Sequence, residues 1–440
     1  MAYASQSQAQ QNLHPALRNF LLGLRYKFMP LLHYLPLILV FSFVLFAPSP
    51  RMGTDLTKME LQAMGDMNKR IIFSIAFFLA ILAILHKHGA FKRFLVEQKV
   101  LVLLLAYAFL TVFWASSSSV ALKRWFQFAG YVTVIWCALL PAGSPRRILK
   151  ILRFLFTSAI FLSLVMSLLG KGHSIDANGA WRGLFSHKNI LGQVCAITLI
   201  MWLPAFTSKN SWRLWLYALA SSLITFFMLL KSNSATALVI FVLAFVGWII
   251  FYLPFRREIK AVLLPIPAFL FLFWVTNFQV TTIEDMFFNS LHRETSFTGR
   301  TVLWEAFMET AGAHTLFGSG FNSFWISNNE NAQHLIQKLG WDPGQAHNGY
   351  LDILNELGII GGVIFGLFLL QTLIRTRRYR YIDREVGTVL FFTIFSQILY
   401  NYVETSFCRI SSLGWLVVLV AAVMASSANY NHTTTRHNQS

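Results

Sequence analysis

Apolar stretches long enough to cross a lipid bilayer recur along this chain from near residue 31 to residue 427, and no other feature limits its possible folds so severely. A hydrocarbon core about 30 Å thick takes about 20 residues of helix to cross. Inside it each backbone N–H and C=O needs a protein partner, which leaves helices or closed barrels. The stretches here are continuous rather than alternating, so helices are expected near 31–47, 71–86, 100–115, 125–141, 151–170, 190–206, 212–231, 235–253, 261–275, 357–374, 386–403 and 410–427. Only 12% of the residues are charged, about half the share usual in a water-soluble domain. The expected fold class is an all-α polytopic membrane protein with about twelve transmembrane helices.

The net charge of +18 then has a membrane explanation. Lysine and arginine beside apolar spans are retained on the cytoplasmic side and attract anionic headgroups, so membrane lipids are the expected partners. No RNA- or DNA-binding motif supports nucleic acid as a partner. With the N-terminus cytoplasmic, 22 of the 36 lysines and arginines fall on the inner side, most clearly in the cluster from Arg375 to Arg384. That bias predicts both termini inside. It divides the chain into a cytoplasmic segment 1–30, nine spans over 31–275, a large outward loop 276–346, a helix start with three spans over 347–427, and a cytoplasmic tail 428–440. In a bacterium the loop faces the periplasm, and the protein sits in the inner membrane. A loop of this length in a compact protein is usually functional. Val302, Leu303, Trp304, Phe307 and Ala311 approximate a helical face, expected to lie on the membrane surface, while 281–295 and 326–340 look amphipathic.

The outward ends of several spans gather cations. Trp181-Arg182-Gly183-Leu184-Phe185-Ser186-His187-Lys188-Asn189 leads into the sixth span, Lys231-Ser232-Asn233-Ser234-Ala235-Thr236 leads into the eighth, Arg300 opens the short loop helix, and His347-Asn348 opens the segment before the tenth. A helix N-terminus presents unsatisfied N–H groups and about half a positive charge. Several of them beside Arg182, Lys188 and Arg300 suit a phosphate-binding pocket, with arginine adding bidentate bonds. Each cation taken alone also fits a side chain snorkelling to the headgroups. His347 is either a hydrogen-bonded structural residue or a general base taking a proton from an attacking hydroxyl. Glu404, at the outer end of the eleventh span, is either a solvated carboxylate or the partner of a cation or substrate hydroxyl.

Metal ligation is not expected: Asp-x-Asp, His-Glu-x-x-His and Cys/His clusters are all missing from the sequence, and Cys137, Cys195 and Cys408 stand at unrelated spacings in or beside apolar spans. No Walker-type loop is present, and no cofactor is implied. What remains is a reaction on a phosphorylated, membrane-borne substrate, with cations in place of a metal and a diphosphate as leaving group.

Arg182-Gly183 with His187-Lys188-Asn189-Ile190-Leu191-Gly192, then Ser232-x-Ser234-x-Thr236, then Thr298-Gly299-Arg300 with Leu303-Trp304, and finally His347-Asn348-Gly349-Tyr350-Leu351 with Glu356-Leu357-Gly358 together resemble the O-antigen ligase and Wzy-type polysaccharide polymerase superfamily. The resemblance covers about 180–360 and rests on the order, spacing and sidedness of the motifs. It implies a C-type glycosyltransferase-like membrane fold and an inverting, metal-independent glycan transfer at the periplasmic face, from an undecaprenyl-diphosphate-linked oligosaccharide. Carried onto these positions, Arg182 and Arg300 grip the donor diphosphate and His347 activates the acceptor hydroxyl, with Lys188, Lys231, Asn348 and Glu404 as further participants. Many members carry an arginine where Ala235 stands, so Lys231 is the nearby cation left to make a third diphosphate contact. The His-Lys-Asn and Ser-x-Ser-x-Thr forms resemble the exopolysaccharide-polymerase branch, in which other polysaccharide assembly proteins are possible partners. An O-antigen ligase acting on lipid A-core is the alternative within this chemistry. A lipid-linked glycan flippase is the alternative outside it, although transporters more often place ionisable groups near the midplane.

Overall fold

The computed structural model describes residues 32–46, 67–271, 298–311 and 316–426, apart from 86–87, 142, 208–210, 254–255, 264, 268 and 411. The expectations for 1–30, for the end of the ninth span from 272, for 276–297 and for the tail 428–440 lie outside the described residues. Among the described residues the regular structure is helical, with one isolated bridge between Ile175 and Trp181.

The helices used below are α1 (Leu32–Phe46), α2 (Met67–Leu85), α3 (His88–Glu97), α4 (Lys99–Leu110), α5 (Ser118–Leu139), α6 (Ser144–Leu168), α7 (Lys188–Trp202), α8 (Trp212–Lys231), α9 (Ala235–Tyr252), α10 (Arg257–Leu263), α11 (Thr298–Ala311), α12 (Glu330–Leu339), α13 (Gly349–Tyr379), α14 (Arg384–Val403) and α15 (Leu413–Ser426). Six are long and apolar enough to cross a membrane: α6, α7 with its 3-10 extension to Phe206, α8, α9, α13 and α14. The chain is therefore a multi-pass membrane protein. Shorter apolar helices stand at Leu32–Phe46, Arg70–Leu85, Lys99–Trp114 and Leu413–Ser426, each at a span expected from the sequence.

Burial sorts the helices into centre and rim. All 14 residues of α15 are buried, and α7 is buried from Leu191 to Trp202. These two with α14 form the centre, where Gln193 donates to Gln397 Oε1 at 2.9 Å across α7 and α14. Between apolar helices such a bond fixes which faces meet. The rim helix α8 buries only Ala218, Ser221, Thr225, Met228 and Leu229 and exposes Trp212, Trp215, Leu223 and Phe227, as a lipid-facing surface requires.

One expected boundary moves. The tenth span begins at Gly349 rather than 357, because Asn348 caps it by accepting from the Tyr350 and Leu351 N–H groups at 3.0 and 3.2 Å. The same helix is broken at Gly358, whose φ is 67° and ψ −172°. The break frees carbonyls that other segments satisfy: Ser319 and Gly320 N–H donate to Asn355 and Glu356 C=O at 2.8 and 2.9 Å, and the Tyr107 hydroxyl donates to Leu357 C=O at 3.1 Å. The chains pass so closely that a Cβ on Gly358 would stand 2.3 Å from Leu316 O, and one on Gly318 2.4 Å from Glu356 O. Only glycine fits at either place.

Within the loop region, α11 turns its apolar side onto protein. Leu303, Ala306 and Phe307 are buried in a small core with Phe324, Trp325, Ala332, Leu335 and Ala346, and the Phe307 and Trp325 rings stack at 5.8 Å. The surface-lying helix expected from the sequence is thus corrected to one packed on α12 and the 316–326 segment, with Val302 left on its exposed side.

Candidate active site

At one end of the bundle four separate segments meet around a single carboxylate. Helix α14 ends at Val403, and Glu404 leaves it in an extended conformation. Asn401, in the last helical turn, accepts from the Ser406 and Phe407 N–H groups at 2.8 Å each, which shapes the turn carrying Glu404. Glu404 Oε1 accepts from Arg300 Nη2 on α11 and from Asn189 Nδ2 on α7, both at 2.7 Å, and Oε2 lies 3.1 Å from His347 Nδ1. Burial alone would raise the carboxyl pKa; the Arg300 charge and the His347 hydrogen bond outweigh it and hold Glu404 at about 2. Its expected alternative as a solvated loop carboxylate is excluded: the side chain is 7% exposed.

His347 is the outward member of the cluster, with 28% of its side chain exposed. Its φ of 49° puts a non-glycine residue in the left-handed region, a conformation that costs energy and is held by its surroundings. The preceding residue supplies the hold: Ala346 is fully buried, and its carbonyl accepts from Trp304 Nε1 at 2.8 Å. Gln345 Nε2 also stands 3.3 Å from His347 Nδ1. Of these two neighbours only the Glu404 carboxylate can accept, since an amide NH2 only donates, so an Nδ1 hydrogen goes to Glu404 and the Nε2 lone pair is left for a proton from outside.

His187 caps α7 through Nδ1, which accepts from Asn189 N–H at 3.2 Å. Although part of its surface reaches solvent, desolvation by the surrounding protein lowers its pKa most. Glu404 opposes this, and the charges of Lys188, His347 and Arg182 add to it. Arg182 and Lys188 therefore lie within electrostatic reach of the cluster. Arg182 is carried by a turn in which its own N–H and that of Gly183 donate to Ser174 O at 2.7 and 3.0 Å. Its Nε is buried without a hydrogen-bond partner among the described residues.

The sequence-expected residues thus divide. Arg300 and His347 each meet Glu404, on different oxygens, and Arg182 and Lys188 flank them through His187. Asn348 is beside the cluster as the cap of α13. Lys231 is elsewhere: its Nζ lies over the Trp181 and Phe227 rings at 5.8 Å, and its carbonyl accepts from Trp181 N–H at 2.9 Å. It buttresses the turn that carries Arg182.

Residues 219–366 match the Wzy_C family, described as O-antigen ligase. The exopolysaccharide production protein ExoQ of Rhizobium meliloti (strain 1021) is 26% identical over 314 residues, in a match that covers 66% of this chain and 70% of that protein. Both comparisons support the resemblance to the O-antigen ligase and Wzy-type family. They support glycan transfer of the ligase or polymerase type. The Wzy_C match contains Arg300 and His347, while Asn189 and Glu404, which complete the cluster, lie on either side of it.

Asn189 is the participant that a search for cations passes over. It sits in the His-Lys-Asn motif, and its signal was its place one residue inside a helix start, where a side chain can reach past the helix end. No group of three or more His, Cys, Asp or Glu side chains that could hold a metal ion occurs among the described residues.

Proposed function

We propose that this protein is a periplasm-facing polysaccharide polymerase of about twelve spans in a bacterial inner membrane, moving a growing glycan from undecaprenyl diphosphate onto the next lipid-linked repeat unit. The observation that carries the reading is the Glu404–His347 pair, a buried carboxylate that orients an exposed imidazole beside Arg300.

In this mechanism His347 Nε2 takes the proton of the acceptor hydroxyl while Glu404 steadies the imidazolium that forms. The freed oxygen attacks the anomeric carbon from the face opposite the diphosphate. The carbon–oxygen bond to the diphosphate breaks, the configuration inverts, and undecaprenyl diphosphate leaves with the electron pair. Arg300 and Arg182, with Lys188 and the N-terminus of α7, stabilise the charge growing on that leaving group. Cations so placed supply the electrostatic role that a divalent ion plays elsewhere.

The choice of polymerase is supported by the likeness to an exopolysaccharide production protein. The family description as O-antigen ligase favours the second reading, transfer to lipid A-core. Purified protein in lipid, given a synthetic polyprenyl-diphosphate repeat unit as the sole glycan, separates the two. A ladder of longer lipid-linked products establishes the polymerase, because donor and acceptor are then the same molecule. Transfer that begins only when lipid A-core is added makes it a ligase, and silence in both beside an active control enzyme favours the flippase.

A further inference from the structure

Beneath the Glu404 cluster lies a second carboxylate, that of Asp352, on the first turn of α13 and 1% exposed. Its four neighbours come from three stretches of the chain. Oδ1 accepts from Trp325 Nε1 at 2.7 Å and stands 2.8 Å from Arg409 Nη2. Oδ2 accepts from Thr405 Oγ1 at 2.7 Å, and the Ala346 N–H points between the two oxygens at 3.4 and 3.3 Å. Two of these partners adjoin the reacting pair: Ala346 precedes His347, and Thr405 follows Glu404.

The geometry points to Asp352 as a positioning residue for transfer, one that sets the distance between His347 and Glu404 without touching substrate. The inference rests on His347 being the base. The residue before His347 is held at both ends, its carbonyl by Trp304 and its N–H by Asp352. The same carboxylate holds the residue after Glu404, so one rigid group registers both halves of the pair. Arg409 anchors that group from below, with Nη1 on Glu356 Oε1 at 2.8 Å, while Glu356 Oε2 accepts from Asn322 N–H at 3.0 Å. A carboxylate is required here because every partner of Asp352 is a donor. An amide of the same shape presents one oxygen and one NH2. Its best rotamer keeps Trp325 and Arg409 on the oxygen, lets the threonine hydroxyl reverse, and sets the NH2 against the Ala346 N–H.

The test measures kcat and donor KM per folded molecule, with the synthetic lipid-linked repeat unit, for Asp352→Asn, Thr405→Val and Thr405→Ser. Displacing a catalytic group by a fraction of an ångström costs rate rather than binding. The expected results are a kcat lowered about 30-fold in Asp352→Asn and about fivefold in Thr405→Val, with donor KM within about twofold. Thr405→Ser, which restores the hydroxyl, should return close to the wild-type rate. A wild-type kcat in either loss variant, or a loss expressed in KM alone, overturns the inference. Should Asp352→Asn fail to fold, the Thr405 pair decides by itself. Wild-type turnover in His347→Asn would overturn the base reading and this inference together. Inactive His347→Asn beside fully active Asp352→Asn would overturn this inference alone.

Discussion

Helix α14 carries an arginine–carboxylate pair at each end, and the two are built differently. At its N-terminal end Glu385 Oε1 accepts from Arg153 Nη1 at 2.6 Å, the rest of the guanidinium donates to Met201 O at 2.6 and 3.0 Å, and the Trp202 ring covers it at 4.7 Å. Those groups all belong to α6, α7 and α14, so the pair ties three helices together, with the Glu385 side chain partly open to solvent. At the C-terminal end Glu404 meets Arg300 just as closely, but its other oxygen faces an imidazole that is partly exposed. The first arrangement spends its hydrogen bonds on joining helices. The second keeps one ring nitrogen turned toward whatever approaches from outside.

If that contrast is right, substitutions at the two ends separate activity from stability. The largest effect is expected for His347→Asn, with transfer per folded molecule falling about a thousandfold and thermal stability little changed, measured as radiolabelled product and as a melting curve. Next comes Glu404→Gln, which leaves Arg300 buried beside a neutral group. Losing one partner of a buried pair costs about 3–5 kcal/mol, so this variant should lose both activity and stability. Because the folded carboxyl is held at about 2 against an ordinary value of 4.5, its contribution is complete above pH 4.5 and fades as pH falls toward 2. Wild type and variant should therefore converge in melting temperature on acidification across that window; a constant gap would mean that the pairing is not what stabilises the end of α14.

Arg300→Lys retains charge and loses the planar fork, so about a tenfold drop in kcat is expected; an undiminished rate would reduce Arg300 to a structural partner of Glu404. The smallest effect on turnover belongs to Glu385→Gln, which should lower the melting temperature while the rate per folded molecule stays within about twofold of wild type. A rate lost at that end, with stability intact, would erase the distinction between the two pairs.

Much of the fold was legible because span length and helix caps are local properties. Asn348 before an apolar run marks a helix start, and the 212–231 span coincides with α8. Where α13 begins was misjudged by hydropathy, since its first turns carry Asp352, Asn355 and Glu356, polar residues that the 316–326 and 405–409 segments bury. The site was legible as a set of residue types and not as a set of contacts. Glu404 joins Arg300 from 104 positions away, His347 from 57 and Asn189 from 215, separations at which periodicity says nothing. Lys231, a candidate ligand for the donor by motif position, stands on the Trp181 and Phe227 rings beside the Arg182 turn, a neighbourhood that its motif did not indicate.

The break at Gly358 bears on how such proteins can be recombined. The 316–326 segment supplies rungs that α13 lacks, and Tyr107 on α4 supplies another. A loop transplanted between relatives to change the acceptor would arrive without its counterpart carbonyls, and the host helix would keep polar groups it cannot satisfy. The exchangeable unit is therefore discontinuous in sequence: the loop, the first turns of α13 through Gly358, and the aromatic hydroxyl of α4 travel together.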